Sequence, residues 1–184
     1  MKSCRLGSGE WLLILGLVLL AGCQASPPKY PTVQISRVTS GQSVEWIDNS
    51  QQPPIIQQGR LIGIDAPDPA QEPWGKQAKQ RLEELIDIPT KGSVSIEFDD
   101  TATDKYGRKF VYLWKDGRLL NEQLLKDGYV LASMRTPTGT NISGVKYRDR
   151  FIRGSQYARL MGEGIWNPEH PMRMSPSEFR KEER

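Results

Sequence analysis

The sequence is poor in cysteine and histidine, and this scarcity excludes several classes of catalytic site. Its 184 residues contain two cysteines, Cys4 and Cys23, and one histidine, His170. Because both cysteines lie near the N-terminus, the rest of the chain has no internal disulfide. A Ser-His-Asp triad, a Cys-His pair and a zinc site of histidines and cysteines cannot be assembled from this composition. Carboxylates, arginines and hard cations remain as the means of catalysis.

The chain also lacks a strong excess of either charge. It has 25 lysines and arginines against 22 aspartates and glutamates, which gives a formal net charge of +3. This small excess permits an anionic partner, but it is far from the dense positive charge of a protein that coats nucleic acid. A hydrophobic content of 37% and a charged content of 26% are typical of a globular protein with one core.

The apolar run at the N-terminus is short and indicates export. Lys2 and Arg5 precede an apolar segment, residues 11–20, which is well short of the ~20 residues needed to span a bilayer. Small residues and Cys23 follow, as is typical of a signal peptide. This junction, Leu20-Ala21-Gly22-Cys23, resembles a bacterial lipobox, which implies cleavage before Cys23 and acylation of its thiol. An uncleaved transmembrane anchor is the alternative interpretation.

Four segments are predicted along the chain. A lipoprotein signal peptide covers residues 1–22, and a lipidated, proline-containing tether covers 23–31. One domain follows at 32–169, and the charged tail at 170–184 is expected to be mostly disordered because it has few large apolar residues. We therefore expect an exported protein, anchored by lipid to a cell envelope membrane on its periplasmic or extracellular face. Gln24 favours the outer membrane, because an aspartate at this position is linked to inner-membrane retention.

Within the domain, hydrophobic periodicity predicts about five short strands and about three helices. The strand signals lie at residues 33–35, 44–46, 55–64, 93–98 and 109–115. Apolar helix faces are predicted for three sets: Ala78, Leu82, Leu85 and Ile86; Leu120, Leu124 and Leu125; and Tyr147, Phe151, Ala158 and Met161. The order of these elements predicts an α+β protein, an OB-like five-stranded barrel that carries helices.

Two segments concentrate the charged groups suited to phosphate chemistry. They are Arg60-Leu61-Ile62-Gly63-Ile64-Asp65-Ala66-Pro67-Asp68 and Thr103-Asp104-Lys105-Tyr106-Gly107-Arg108. Both resemble motifs of the staphylococcal nuclease family, R-L-x-x-x-D-[TA]-P-[ED] and T-D-K-Y-G-R, in the family's order and spacing. Further similarity at Asp116-Gly117, Asn121-Glu122 and Gly164-Ile165-Trp166 extends the resemblance over about residues 32–167.

The resemblance implies roles for the charged residues of these segments. Arg60 and Arg108 would hold the phosphate, since a guanidinium donates two parallel hydrogen bonds and keeps its charge. Asp65 would bind Ca²⁺. Asp68 would take the place of the family's glutamate, which is proposed as the general base.

The same resemblance places Lys105 and Tyr106 at the edge of the phosphate site. The sequence also allows other interpretations of these residues and of Arg60 and Asp65. Lys105 and Tyr106 could be ordinary surface residues. Arg60 could pair with a core carboxylate, and Asp65 could simply begin a turn. A basic helix face is interpreted as a solvated surface rather than as a groove for nucleic acid. It consists of Lys146, Arg150 and Arg153.

The chain departs from the family pattern at two positions. The family's first metal-binding loop reads D-G-D-T, whereas this chain has Ser40-Gly41-Gln42-Ser43. Gln42 offers a carbonyl oxygen in place of a charged Ca²⁺ ligand, so we expect weaker Ca²⁺ binding. Asp68 is one methylene shorter than glutamate, which sets its carboxylate back by ~1.5 Å unless the loop moves. Errors of ~1 Å in placement can cost ~10²-fold in rate, and Glu72 could reach in instead.

Two hypotheses of different classes follow. In the first, the domain is an exported, Ca²⁺-stimulated endonuclease that cuts DNA and RNA, preferably single-stranded, and is weakened by its altered metal loop. In the second, it is an inactive module of the same fold that only binds nucleic acid or another anion. The enzyme is favoured because both arginines and two carboxylates are retained together.

Overall fold

The computed structural model describes residues 30–88, 90, 92–99, 103–104, 106–134 and 145–183. The strands within this part are β1 (Thr32–Ser40), β2 (Ser43–Asp48), β3 (Ile55–Leu61), β4 (Ile64–Asp65), β5 (Ser93–Phe98), β6 (Lys109–Lys115), β7 (Arg118–Leu119) and β8 (Leu131–Ala132). The helices are α1 (Trp74–Ile86), α2 (Leu120–Lys126), α3 (Arg148–Met161) and α4 (Pro176–Glu182), with a 3₁₀ turn at Gly164–Trp166. No helix in this described part is long and apolar enough to cross a membrane. The predicted signal peptide, Cys23 and Lys105 lie outside the described residues.

Five strands form a closed barrel. β1, β2 and β3 pair antiparallel in chain order, β5 pairs with β1, and β6 pairs antiparallel with β5. The barrel closes because β6 also pairs with β3, in parallel, with Arg60 opposite Phe110. Val94 and Ile96 occupy alternate positions of β5 and are both buried, as the period of two predicts. The predicted OB-like α+β fold is confirmed.

Helix α1 covers part of the core with the apolar stripe that the sequence predicts. Ala78, Leu82 and Ile86 are fully buried, and Leu85 is partly buried against the same cluster. Their spacing of three and four residues places them on one face of the helix. The helix ends at Asp87, which has a left-handed φ of 67°. The stripe therefore fixes how α1 lies against the barrel.

The long predicted strand at 55–64 is divided by a turn. β3 ends at Leu61, and β4 begins at Ile64 after Gly63, whose φ is 80°. A Cβ at Gly63 would lie 2.2 Å from a ring carbon of Phe151, so this position needs glycine for its packing as well as its conformation. The turn sets the start of the loop that carries Asp65 and Asp68.

Helices α2 and α3 pack against each other. One residue predicted to be buried there, Met161, is exposed. Leu124, Phe151 and Ala158 are fully buried, as predicted. Met161 was predicted to share their face, but its side chain is 58% exposed. It is the last residue of α3, and the chain turns away at Gly162, which has a left-handed φ of 69°.

The C-terminal tail differs from the expectation of disorder, because residues 176–182 form helix α4. Ser175 and Glu178 form a capping box. The Ser175 hydroxyl accepts from the Glu178 N–H, and the Glu178 carboxylate accepts from the Ser175 N–H at 2.8 Å. Gln71 donates from its side chain to the Met174 carbonyl at 2.8 Å, which ties this segment to the loop after β4. Polar contacts thus order a tail whose apolar content is low.

Candidate active site

A cavity of about 410 Å³ lies beside the C-terminal end of β3. Its wall is built from the β1–β2 hairpin, β3, the loop after β4, the turn before β6 and helix α4. The predicted site residues that line it are Gln42, Arg60, Asp68, Tyr106 and Arg108. Arg180 of α4 lines it as well. Residues as far apart in sequence as Gln42 and Arg180 thus meet around one space.

Arg60 contributes a guanidinium to the wall of this cavity. Its backbone is held between two strands, opposite Ser43 of β2 and Phe110 of β6. In the part of the chain that the structure describes, its side chain is partly buried and makes no hydrogen bond or ion pair. Burial, and then the charge of Arg108, lower the pKa of Arg60 to about 10, so the group stays charged at neutral pH. The arrangement therefore does not support the alternative that Arg60 pairs with a core carboxylate.

Arg108 is fixed in direction by a buried carboxylate. Its Nε donates to Asp104 Oδ2 at 2.7 Å, and its Nη1 donates to the Ser43 hydroxyl at 3.1 Å. Asp104 Oδ1 also accepts from the backbone N–H groups of Tyr106 and Arg108, at 2.9 and 3.0 Å. Burial raises the pKa of Asp104, but these hydrogen bonds outweigh it and hold that pKa below its ordinary value. The turn therefore presents Arg108 in one orientation.

Asp68 is placed at the cavity by a short, tightly packed loop. Its Oδ1 accepts from the Ala70 N–H at 3.0 Å, which leaves Oδ2 with no hydrogen bond within the described residues. A Cβ at Gly75 would lie 1.9 Å from the Asp68 carbonyl oxygen, so the loop approaches α1 as closely as glycine allows. Glu72 is exposed and does not line the cavity. Asp68, rather than Glu72, is the carboxylate placed to act there.

Gln42 connects the β1–β2 hairpin to the loop after β4. Its side-chain Oε1 accepts from the Ala66 N–H at 2.9 Å, and its carbonyl accepts from the Leu61 N–H at 2.8 Å. The residue is buried. The amide that was predicted to face a metal is thus turned to the backbone of the loop that follows Asp65.

Asp65, the predicted metal ligand, is paired with an arginine from the C-terminal helix. Arg180 Nη2 donates to both carboxylate oxygens, at 2.8 and 2.9 Å. Arg180 Nη1 lies 3.4 Å from the carbonyl oxygen of Ala66. The guanidinium therefore contacts the carboxylate of one residue and the carbonyl of the next.

Two motif arginines and a carboxylate thus meet at this cavity. Arg60 comes from β3, Asp68 from the loop after β4 and Arg108 from the turn before β6. The family described as staphylococcal nuclease homologue matches residues 58–168. The chain belongs to this family. It is 27% identical over 141 residues to the thermonuclease of Staphylococcus hyicus, an alignment that covers 74% of this chain and 76% of that protein.

Two further members of the staphylococcal nuclease homologue family show the same level of similarity. Endonuclease YncB of Bacillus subtilis (strain 168) is 28% identical over 145 residues, which is 76% of this chain and 63% of that protein. The thermonuclease of Staphylococcus intermedius is 28% identical over 137 residues, with 72% and 74% covered. The similarity thus extends over most of the domain.

The side-chain oxygens predicted to bind Ca²⁺ already have partners within the protein. Both oxygens of Asp65 are engaged by Arg180, and the side-chain oxygen of Gln42 is engaged by Ala66. Among the described residues, no three acidic, histidine or cysteine side chains form a group that could hold a metal. Ca²⁺ requires about six to eight oxygens, and negative charge sets its affinity. In this arrangement the residues do not fit a Ca²⁺ ion.

The predicted basic helix face is mostly engaged within the protein, and Lys146 lies in the turn before α3 rather than on the helix. Lys146 contacts the Glu97 carboxylate, and Arg150 contacts that of Glu122. Glu97 and Glu122 are both buried. Arg153 is exposed. Two of the three cations thus neutralise buried carboxylates.

Sequence reasoning missed two residues of this site. The sequence assigns Asp104 no role beyond its place in the turn motif, whereas its carboxylate holds Arg108. Arg180 was placed in a disordered tail, although Ser175-Pro176 followed by Glu178 is the sequence pattern of a capped helix. That pattern was the available signal for α4. Asp65, the partner of Arg180, lies 115 positions away, and the local sequence pattern around Arg180 does not predict this contact.

Proposed function

We propose that this chain is a nuclease that hydrolyses phosphodiester bonds of DNA or RNA. The observation that carries the proposal is the guanidinium of Arg60, unpaired among the described residues, on the wall of the same cavity as Arg108 and Asp68. Membership of the staphylococcal nuclease homologue family, with relatives named thermonuclease and endonuclease, supports the same reaction. A phosphodiester oxygen is the anionic group that such a pocket would take.

Arg60 and Arg108 would bind the non-bridging oxygens of the scissile phosphate. Negative charge develops on these oxygens as water attacks, so donors that are already oriented stabilise the transition state more than the free substrate. Arg108 donates from Nε and Nη2 to Asp104 and from Nη1 to Ser43, so one hydrogen on each Nη remains for phosphate oxygens. Arg60 has no competing partner in the described part of the chain, so its interaction with phosphate costs no protein contact.

Asp68 would accept the proton of the attacking water as the oxygen of that water bonds to phosphorus. The bond from phosphorus to the leaving ester oxygen breaks in the same step, and the leaving oxygen takes a proton from solvent. Its Oδ2 has no hydrogen bond in the described residues, while Oδ1 is held by Ala70. A carboxylate fixed through one oxygen can hold a water on the other, which is the placement that general base catalysis needs. The exposed ring of Tyr106 at the cavity edge offers a stacking surface for an unpaired base, which supports a preference for single-stranded substrate.

The sequence also predicts Ca²⁺ stimulation through Asp65 and Gln42. The family resemblance supports that prediction, while the present contacts of both side chains do not fit the ion. Each step above therefore uses only side chains of this chain.

An inactive binding module of the same fold is the second candidate, favoured by the loss of the family's aspartate at Gln42. Full-length protein in mild detergent would be incubated with labelled single-stranded DNA, beside an Arg60→Ala/Arg108→Ala double variant. Arg153→Ala is the matched control, since Arg153 is exposed and lies outside the cavity. We expect cleavage by wild type and by the control only. Cleavage by the double variant would point to another site, and binding without cleavage would favour the module.

Export and lipid anchoring form a separate part of the proposal. The charged N-terminus, the short apolar segment and the lipobox-like sequence that ends at Cys23 support cleavage and acylation there. Acyl chains contribute ~0.8 kcal/mol per buried methylene to membrane binding. We expect Cys23→Ser to prevent processing and to release the protein from membranes. A variant that is still processed and sediments with membranes would refute the assignment.

A further inference from the structure

Helix α4 delivers a third guanidinium to the cavity. α4 lies at the end of the chain, and only Arg180 of its seven residues lines the cavity. A capping box begins the helix, and two hydrogen bonds tie the segment before it to the rest of the protein. Its capping box joins Ser175 to Glu178, Gln71 donates to the Met174 carbonyl, and the N–H of Met172 donates to the carbonyl of Ile165 at 2.9 Å. Arg180 therefore reaches the cavity from a docked segment.

The groups that Arg180 contacts are oxygen ligands of the kind that a hard cation takes. They are the two carboxylate oxygens of Asp65 and the carbonyl oxygen of Ala66. A guanidinium satisfies such acceptors with hydrogen bonds in place of coordination bonds. Gln42 adds no negative charge beside them. The single charge of Asp65 is thus matched by the single charge of Arg180.

We propose that Arg180 takes the place of a metal cation in this site and serves as its third phosphate-binding arginine. The proposal rests on the nuclease function proposed above. Nη2 and one hydrogen of Nη1 are committed to Asp65 and Ala66. The Nε–H and the second Nη1 hydrogen remain, on opposite edges of the guanidinium, and either one is a donor for a phosphate oxygen. Asp65 then positions Arg180, as Asp104 positions Arg108. Phosphate binding and cleavage proceed without Ca²⁺.

The first measurement is the metal dependence of cleavage and binding. Full-length wild type in detergent would be assayed on single-stranded DNA with added Ca²⁺ and with chelator. We expect rates that agree within about threefold, because the required charge is already present. Calorimetry with Ca²⁺ alone should give no binding to wild type. Wild type that cleaves only with Ca²⁺ would overturn the role of Arg180 and leave the nuclease proposal standing.

The second measurement removes the guanidinium. Arg180→Ala should lower kcat in chelator by about 10²-fold, as the loss of one oriented donor to the transition state does. Because it frees Asp65 and the Ala66 carbonyl, it should also create weak Ca²⁺ binding by calorimetry. Lys181→Ala is the matched control, since Lys181 is exposed on the same helix. An Arg180→Ala variant that is faster than wild type would show that α4 is an inhibitory arm, and the proposal would fail.

The two proposals fail in different ways. If wild type cleaves under no condition, the nuclease proposal is refuted, and affinity for a labelled oligonucleotide in chelator tests Arg180 by itself. Arg180→Ala should then bind about tenfold or more weakly than wild type and than Lys181→Ala. Equal affinity of the three proteins would refute a phosphate-binding role. Thermal unfolding of each variant establishes that it is folded, and Arg180→Lys should restore part of the affinity because it keeps the charge.

Discussion

Replacing Arg60 should stabilise the protein while it removes activity. The guanidinium is partly buried and makes no hydrogen bond or ion pair in the described chain. Burial lowers its pKa most, the charges of Arg108 and Arg180 lower it further, and the carboxylates of Asp65 and Asp104 partly oppose this. Its pKa of about 10 corresponds to about 3 kcal/mol against the charged form, at about 1.4 kcal/mol for each tenfold change in proton affinity. Arg60→Met keeps a long apolar stem and removes the charge. We expect a gain of about 1–3 kcal/mol in the free energy of unfolding.

Arg108→Met is the matched comparison, because it removes a charge from the same cavity. Arg108 is the ion-pair partner of Asp104, whose side chain is fully buried. Its removal leaves a buried carboxylate without its counter-charge, and we expect a loss of about 3 kcal/mol in the free energy of unfolding. Urea unfolding of both variants at neutral pH measures the two changes. Cleavage of single-stranded DNA should fall by about 10²-fold or more in each.

The opposite signs of these two stability changes are the critical result. If Arg60→Met were destabilised as strongly as Arg108→Met, Arg60 would have a structural partner, and its assignment as a free phosphate-binding group would be refuted. If Arg60→Met were stabilised but fully active, the buried charge of Arg60 would cost stability without serving catalysis. Either outcome would remove the observation on which the proposed function depends.

Three further predictions concern the surroundings of the cavity. Asp68→Asn should lower kcat by about 10²-fold with little change in oligonucleotide affinity, because it removes the base and keeps the loop, and single-turnover assays measure this. Gly75→Ala should lower both stability and kcat, since its Cβ would lie 1.9 Å from the Asp68 carbonyl oxygen, whereas Lys76→Ala at the exposed next position should change neither. The depressed pKa of Asp104 contributes stability that is present above its ordinary value of about 3.9 and is lost as the pH falls through its lower folded-state pKa. Acid unfolding of Asp104→Asn should therefore depend less on pH in this range, and an unchanged acid transition would contradict the ion pair with Arg108.

The barrel could be predicted because its strands obey local rules. Alternation along β5 and the stripe of Ala78, Leu82 and Ile86 each reflect burial on one face, which is a property of consecutive residues. The motif that ends in Arg108 could also be recognised, since its turn is held by contacts within five residues. Where the pattern failed at Met161, the reason is that a helix period does not show at which residue the helix stops.

The cavity was predicted less completely because its contacts are long-range. That Gln42 turns to Ala66 instead of a metal depends on a contact between residues 24 positions apart. That Asp65 meets Arg180 depends on the docking of a helix with few apolar residues. Composition alone predicts disorder for such a segment, since it cannot bury enough apolar surface to order itself. Polar contacts with a surface formed elsewhere in the chain supply what the local sequence lacks.

The way in which the three arginines are held bears on the choice between enzyme and binding module. Affinity for a nucleic acid needs only nearby positive charge, which mobile surface side chains supply. Catalysis needs donors fixed where charge develops, because an oriented group loses no free energy to reorganisation during the reaction. Arg108 is fixed by Asp104 and Arg180 by Asp65, whereas for Arg60 the backbone is held in a strand paired on both sides. Each ion pair lowers the net charge that attracts the strand, so these pairs oppose affinity and favour orientation. A module selected for binding alone would gain from losing Asp65 and Asp104, and their presence therefore argues for hydrolysis.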